Sequence, residues 1–108
     1  FDISKILSEW KEGLSHRMKR MGELIGGNFA RTQRILSMAV IIAGNTKDPS
    51  YIPMLAETLY HPHPPIRGHS AWALGKIGGA KSLQILQRAL EAEMHPKVIE
   101  EIKRALDK

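Results

Sequence analysis

The 108-residue chain contains no cysteine. This excludes a disulfide framework, thiolate zinc sites, iron–sulfur ligation and a cysteine nucleophile on this chain. Long apolar runs are missing too. The longest, Met38 to Ala43, has six residues, far short of a membrane span, so no membrane role is expected. Aromatic residues make up only 6%. No alternating strand pattern or Asn-Gly hairpin signal is present, and no basic-then-apolar leader stands at the front. A chain opening on Phe1 reads as part of something longer. With 43% hydrophobic and 25% charged residues, the composition is that of a soluble globular domain, and a cytoplasmic setting is the expectation.

The net charge of +5 is unevenly spread. Residues 11–34 hold six Lys/Arg against Glu12 and Glu23, and residues 35–90 hold five against two acids, whereas both ends are slightly acidic. A cationic field over the first two thirds attracts polyanions such as nucleic acid.

The apolar period is helical throughout. Ile3, Ile6, Leu7, Trp10 and Leu14 form one stripe, with Asp2 placed to cap it. Met18, Met21, Leu24 and Ile25 form a second stripe that Gly26-Gly27 ends. A helix from about Asn28–Ala30 to Ala43 is predicted to stop at Gly44-Asn45. The next runs from Asp48 to about Tyr60. The prolines of His61-Pro62-His63-Pro64-Pro65 are expected to break the chain there. Shorter helices follow over Ile66–Gly75, Ser82–Ala92 and Lys97–Leu106.

These elements repeat. Gly44, Ile52, Leu55 and Leu59 match Gly75, Leu83, Leu86 and Leu90 at a spacing of 31, while His63 to Ile66 match His95 to Val98, and Leu74 matches Leu106, at 32. Such self-similarity marks stacked helical hairpins, because one hairpin cannot bury both of its apolar faces alone. The expected fold is all-α: a short α-solenoid of hairpins over 28–108, with an extra helical segment over 1–27, in one compact domain.

The run Ile66 to Gly79, with Ala73-Leu74-Gly75-Lys76-Ile77-Gly78, resembles a HEAT-like repeat of the type also found in phycobilisome lyases. More narrowly, Arg67-Gly68-His69-Ser70-Ala71-Trp72-Ala73-Leu74-Gly75 resembles the C-terminal domain of the epoxyqueuosine reductase family. Ala39 to Asp48 is similar to that family's Ala-Leu-Gly-Asn helix end, although Ser37-Met38 stand where the family carries Arg-Asn. The likeness covers about residues 28–106 and is specific only in 61–79, and residues 1–27 match no family pattern. The resemblance implies a substrate-binding module of a tRNA queuosine-modification enzyme. That enzyme's cobalamin and [4Fe–4S] clusters belong to a part not in this chain, so neither cofactor nor catalysis is expected here.

On helix 66–77, Ile66, His69, Ser70, Ala73 and Leu74 share an arc, and Gly68, Ala71, Trp72 and Lys76 lie outside it. By the resemblance this helix lines the concave face, which directs Trp72 toward a groove. An indole beside Lys76 and His69 suits base stacking and phosphate contact; the competing role is packing in the seam between hairpins. Arg67, in the first helical turn, suits either a structural bond to a loop or neighbouring acid or a phosphate contact. Arg17, Lys19 and Arg20, with Arg31 and Arg34, would make a cationic patch that grips phosphates without reading bases; the alternative is a solvated helix face. The expected nucleic-acid contacts are therefore Arg17, Lys19, Arg20, Arg31, Arg34, Arg67, His69, Trp72 and Lys76. RNA, and tRNA by the resemblance, is the first expected partner. A protein partner held on the Met18/Met21/Leu24/Ile25 stripe or in the groove is the second.

His61, His63 and His69 bring three imidazoles near a turn, but no carboxylate lies close in sequence, and His95 repeats His63 as a turn residue. No metal site and no catalytic residue are assigned. Glu100 and Glu101 with Lys103 and Arg104 read as a solvated last helix.

Overall fold

The computed structural model describes residues 29–107, which form five α-helices and one short 3-10 turn. Helix α1 spans Phe29–Thr46, α2 Ile52–Thr58 behind the 3-10 turn Pro49–Tyr51, α3 Pro64–Ile77, α4 Ala80–Ala92 and α5 Pro96–Leu106. The stretches assigned to an N-terminal helical segment, with Arg17, Lys19, Arg20 and the Met18/Met21 stripe, lie outside the described residues.

Two layers result. Helices α1, α3 and α5 pack side by side, and α2 and α4 cover them from behind, each against its own hairpin partner. The core between the layers is built from Leu36, Val40, Leu55, Leu59, Ile66, Leu74, Leu86, Val98 and Ile102, all nearly or wholly buried. This is the stacked-hairpin solenoid that the 31–32 residue period predicts. Thr58 and Ser70, buried at the same level, place their hydroxyl oxygens 2.6 Å apart and tie α2 to α3.

Two expected helix ends move. Gly44 does not terminate α1, which runs on to Thr46 and turns at Lys47 with φ 57°. Gly44 is instead a contact point. A Cβ on it would lie 2.8 Å from both Ala73 Cβ and Trp72 Cζ3 and 2.9 Å from the Ala73 Cα. One repeat later, a Cβ on Gly75 would lie 2.9 Å from Ala105 Cβ. The same glycine-on-alanine approach thus joins α1 to α3 and α3 to α5. The second correction concerns Pro64 and Pro65, which open α3 rather than precede it. A proline in the first turn lacks only an N–H that has no partner there anyway, and its fixed φ already suits a helix.

The loops are locked by one arginine. Arg67 Nε and Nη2 donate to Glu93 Oε2 and Oε1 at 2.9 and 3.0 Å, and Nη1 donates to the carbonyls of His61 and Pro62 at 2.9 and 3.1 Å. Glu93 also accepts from the amides of Met94 and His95. One side chain therefore fastens the α2–α3 loop to the α4–α5 loop. Burial pushes the Glu93 carboxyl upward, but the Arg67 hydrogen bond, the His95 amide and the Arg67 charge outweigh it. The net result is a pKa below the ordinary carboxylate value.

Two predictions follow from this packing. Gly44→Ala should destabilise the chain by about 1–3 kcal/mol, because the close neighbour includes backbone and cannot withdraw. Gly68→Ala, whose Cβ would meet only Glu101 Cγ at 3.9 Å, should stabilise it by about 0.5–1 kcal/mol through helix propensity. Urea denaturation of the two variants checks the opposite signs. Secondly, Glu93→Gln should cost about 2 kcal/mol near pH 7 by removing the ionic partner of a half-buried guanidinium. A carboxyl depressed in the fold stabilises above its unfolded value, 4.5, and ceases to as pH falls through the folded value. The gap between wild type and variant should therefore close on acidification below about that pH; a constant gap counts against the assignment.

Candidate nucleic-acid interface

The exposed side of the α1–α3–α5 layer carries a groove of about 800 Å³. Its floor and near wall come from Gly68, His69 and Trp72 of α3, with Ile41 of α1 beside them and Pro64-Pro65 at the rim. The far wall is α5, through Lys97, Val98, Glu100 and Glu101, with His95 at its start. The lack of a side chain at Gly68 keeps the groove open between α3 and α5.

Trp72 does both things its position suggested. Its ring edge abuts Gly44 in the seam with α1, and the half-buried ring also lines the groove. Lys76, one turn on, holds its Nζ 5.8 Å from the centre of that ring, within cation–π range. His69 shares an arc with Ile66 and Leu74 in an isolated helix, yet it is half-buried and lines the groove beside Trp72. Ala71, expected off the apolar arc, is fully buried instead. The reason is that α3 is flanked by α1 on one side and α5 on the other, so its buried arc is wider and rotated away from His69.

Arg67 faces the loops and is engaged by Glu93 and two carbonyls, with 17% of its side chain exposed. Arg31 and Arg34 are exposed on the first turns of α1. Neither lines the groove, to which α1 contributes Ile41. Arg34 also shares a helix face with Ile41, two turns away.

Glu100 and Glu101 were read as solvated surface; the structure makes them a groove wall. Arg104 braces both, donating to Glu101 Oε1 and Glu100 Oε1 at 3.0 Å each. The signal for them lay in the repeat, since a shift of 32 carries Gly68 and His69 onto Glu100 and Glu101. The groove wall is therefore of mixed charge, with Lys97 beside Glu100 and Glu101, and Lys76, Arg31 and Arg34 do not line it.

The histidines form turns. His61 Nδ1 accepts from the His63 amide at 3.0 Å, and His95 Nδ1 accepts from the Lys97 amide at 3.2 Å. Burial, with the charges of His63 and Arg67 nearby, lowers the His61 pKa and favours the neutral ring that can accept. Among the described residues no group of three or more His, Asp or Glu side chains is arranged to hold a metal. With no cysteine on the chain, these residues do not fit an iron–sulfur cluster. No described helix is long and apolar enough to cross a membrane.

The profile for HEAT repeats matches residues 30–107. Epoxyqueuosine reductase of Listeria monocytogenes is 35% identical over 79 residues, covering 72% of this chain and 21% of that protein. The Bacillus subtilis epoxyqueuosine reductase is 32% identical over 100 residues, 92% of this chain and 24% of that one. A crystal structure of epoxyqueuosine reductase with an epoxyqueuosine-modified tRNA-Tyr stem loop superposes on 94% of this chain and 27% of its own, with a TM-score of 0.74 and 30% identity. The chain thus spans between a fifth and about a quarter of the length of these relatives. On the profile match, the repeated glycine contacts and the two-layer stack, it belongs to the HEAT-repeat family, and its repeats are similar to the corresponding stretch of epoxyqueuosine reductases.

Proposed function

We propose that this chain is a tRNA-binding HEAT-like module, the C-terminal substrate-recognition part of an epoxyqueuosine reductase-like iron–sulfur and cobalamin enzyme acting in tRNA queuosine modification. One observation carries most of this reading: the similar solved enzyme was crystallised with a tRNA stem loop, and the present chain matches it over nearly its whole length. The module contributes affinity and orientation, and the chemistry belongs to the remainder of the enzyme.

In this reading Arg31 and Arg34 of α1, together with Arg17, Lys19 and Arg20, hold backbone phosphates. Such contacts are strong, long-ranged and indifferent to sequence. Trp72, with His69 beside it and Lys76 over its ring, offers a stacking surface at the groove. Arg67 contributes by holding the two loops that shape the groove rim.

The mixed charge of the groove favours a second reading, a HEAT-repeat scaffold for a protein partner. Capture of a protein that survives both nuclease and high salt would support it.

The first reading is tested with a synthetic tRNA anticodon stem loop. The double variant Arg31→Glu/Arg34→Glu should weaken binding about tenfold or more at 0.1 M salt and reduce the slope of log affinity against log salt by about two. Stem loops of unrelated sequence should be affected alike. Unchanged affinity and slope, with the helical circular dichroism intact, would show that the patch is not the binding surface.

A further inference from the structure

The opposite layer carries a second, smaller depression. It lies between α2 and α4, measures about 230 Å³, and is lined by Ala56, Tyr60, Lys81, Gln84, Ile85 and Arg88. Lys81, Gln84, Ile85 and Arg88 recur at i, i+3, i+4 and i+7, one face of α4. Ile85 and Ala56, both half-buried, form its apolar floor, and Tyr60, 53% exposed, stands as one wall.

Some cations of the described structure are engaged by other side chains, and others, Lys97 and Lys103 among them, are not. Arg67 is held by Glu93, Arg104 by Glu100 and Glu101, and Lys76 lies over Trp72. Among the described residues, no hydrogen bond, ion pair or ring contact engages the side chains of Lys81, Arg88 or Tyr60. The acids nearest in sequence, Glu57 and Glu91, each one turn from the cleft residues, do not line it. Two exposed cations two turns apart, with a phenol and an apolar floor between them, form a surface whose complement is an anionic, partly apolar segment.

Size and spacing narrow the occupant. A depression this small cannot seat an α-helix of roughly 10 Å diameter. Seven residues of α4 separate Lys81 from Arg88 by about 10 Å. In an extended polyproline II segment, residues three apart lie on the same side at about 9 Å. Two cations are too few for the many-phosphate grip by which RNA is held without sequence readout. The cleft is also on the layer opposite the groove. We infer that the α2–α4 cleft docks an extended acidic segment of a partner protein. Two carboxylates three positions apart meet Lys81 and Arg88, and the backbone between them passes over Ile85 beside Tyr60. This site is independent of the RNA-binding reading.

The test uses the full chain and fluorescein-labelled, proline-rich octapeptides that carry one leucine and two glutamates one, three or seven positions apart. Fluorescence anisotropy should show the three-apart peptide binding best. Lys81→Glu/Arg88→Glu should weaken it about tenfold, as expected for two exposed ion pairs reversed, and Tyr60→Ala should weaken it without changing salt dependence. The same variants should leave stem-loop RNA affinity unchanged. No detectable binding of any peptide, no preference for the spacing, or binding indifferent to the charge reversal would overturn the inference. Displacement of the peptide by stem-loop RNA, with loss of RNA affinity in the cleft variants, would overturn it in favour of RNA as the occupant. All three altered side chains are exposed, so their replacement does not disturb the core.

Discussion

The distance between parallel helices of the inner layer governs this structure. Glycine on one helix lets an alanine of the next approach until a single added methyl would collide with backbone. The contact occurs twice, at Gly44–Ala73 and Gly75–Ala105, displaced by one repeat. It fixes the longitudinal register of α1, α3 and α5, and the register decides which side chains share the groove. Trp72 depends on it directly, since its ring edge lies against the space that a Gly44 side chain would occupy. An indole that half fills a seam cannot swing freely. It is therefore presented to the groove as a rigid surface, which lowers the entropy cost of any stacking partner.

At the other end of the helices the constraint is electrostatic. Arg67 reads both loops at once, through two carbonyls and one carboxylate. A guanidinium suits this because its donors are fixed in a plane. The loops lead into Pro64-Pro65 and carry His95, all of which line the groove, so the bond shapes the site from outside it. Packing sets the groove's floor and this ion pair sets its rim, and the two act on different elements.

Much of this was legible in the sequence. The helical period and the repeat gave the stacked hairpins, and the Trp72–Lys76 pairing followed from spacing. What was not legible has a common cause. Gly44 looks the same locally whether it ends a helix or admits a neighbour, and only the facing Ala73 separates the two. Pro64 and Pro65 break a helix from within and start one from its edge; the chain before them does not say which. His69 fell on the apolar arc of an isolated helix, but α3 has neighbours on two sides, and they rotate its buried face. Glu100 and Glu101 looked like surface charge until the repeat shift placed them opposite Gly68 and His69. For the glycine, the histidine and the two glutamates the deciding partner lies on a neighbouring helix, far away in sequence.

The division of charge between faces also has a physical logic. The groove wall on α5 sets Lys97 beside Glu100 and Glu101, and Arg104 pairs with both acids. Helix α1 carries Arg31 and Arg34 and no acid, whereas on α5 Lys97, Lys103 and Arg104 stand against Glu100 and Glu101. The two helices therefore differ in how their charge is arranged more than in its sign. On the proposed reading, that difference makes the α1 side the one that meets a polyanion, because charges already paired on one helix have less to gain from a new counterion than charges with no acid on their own helix.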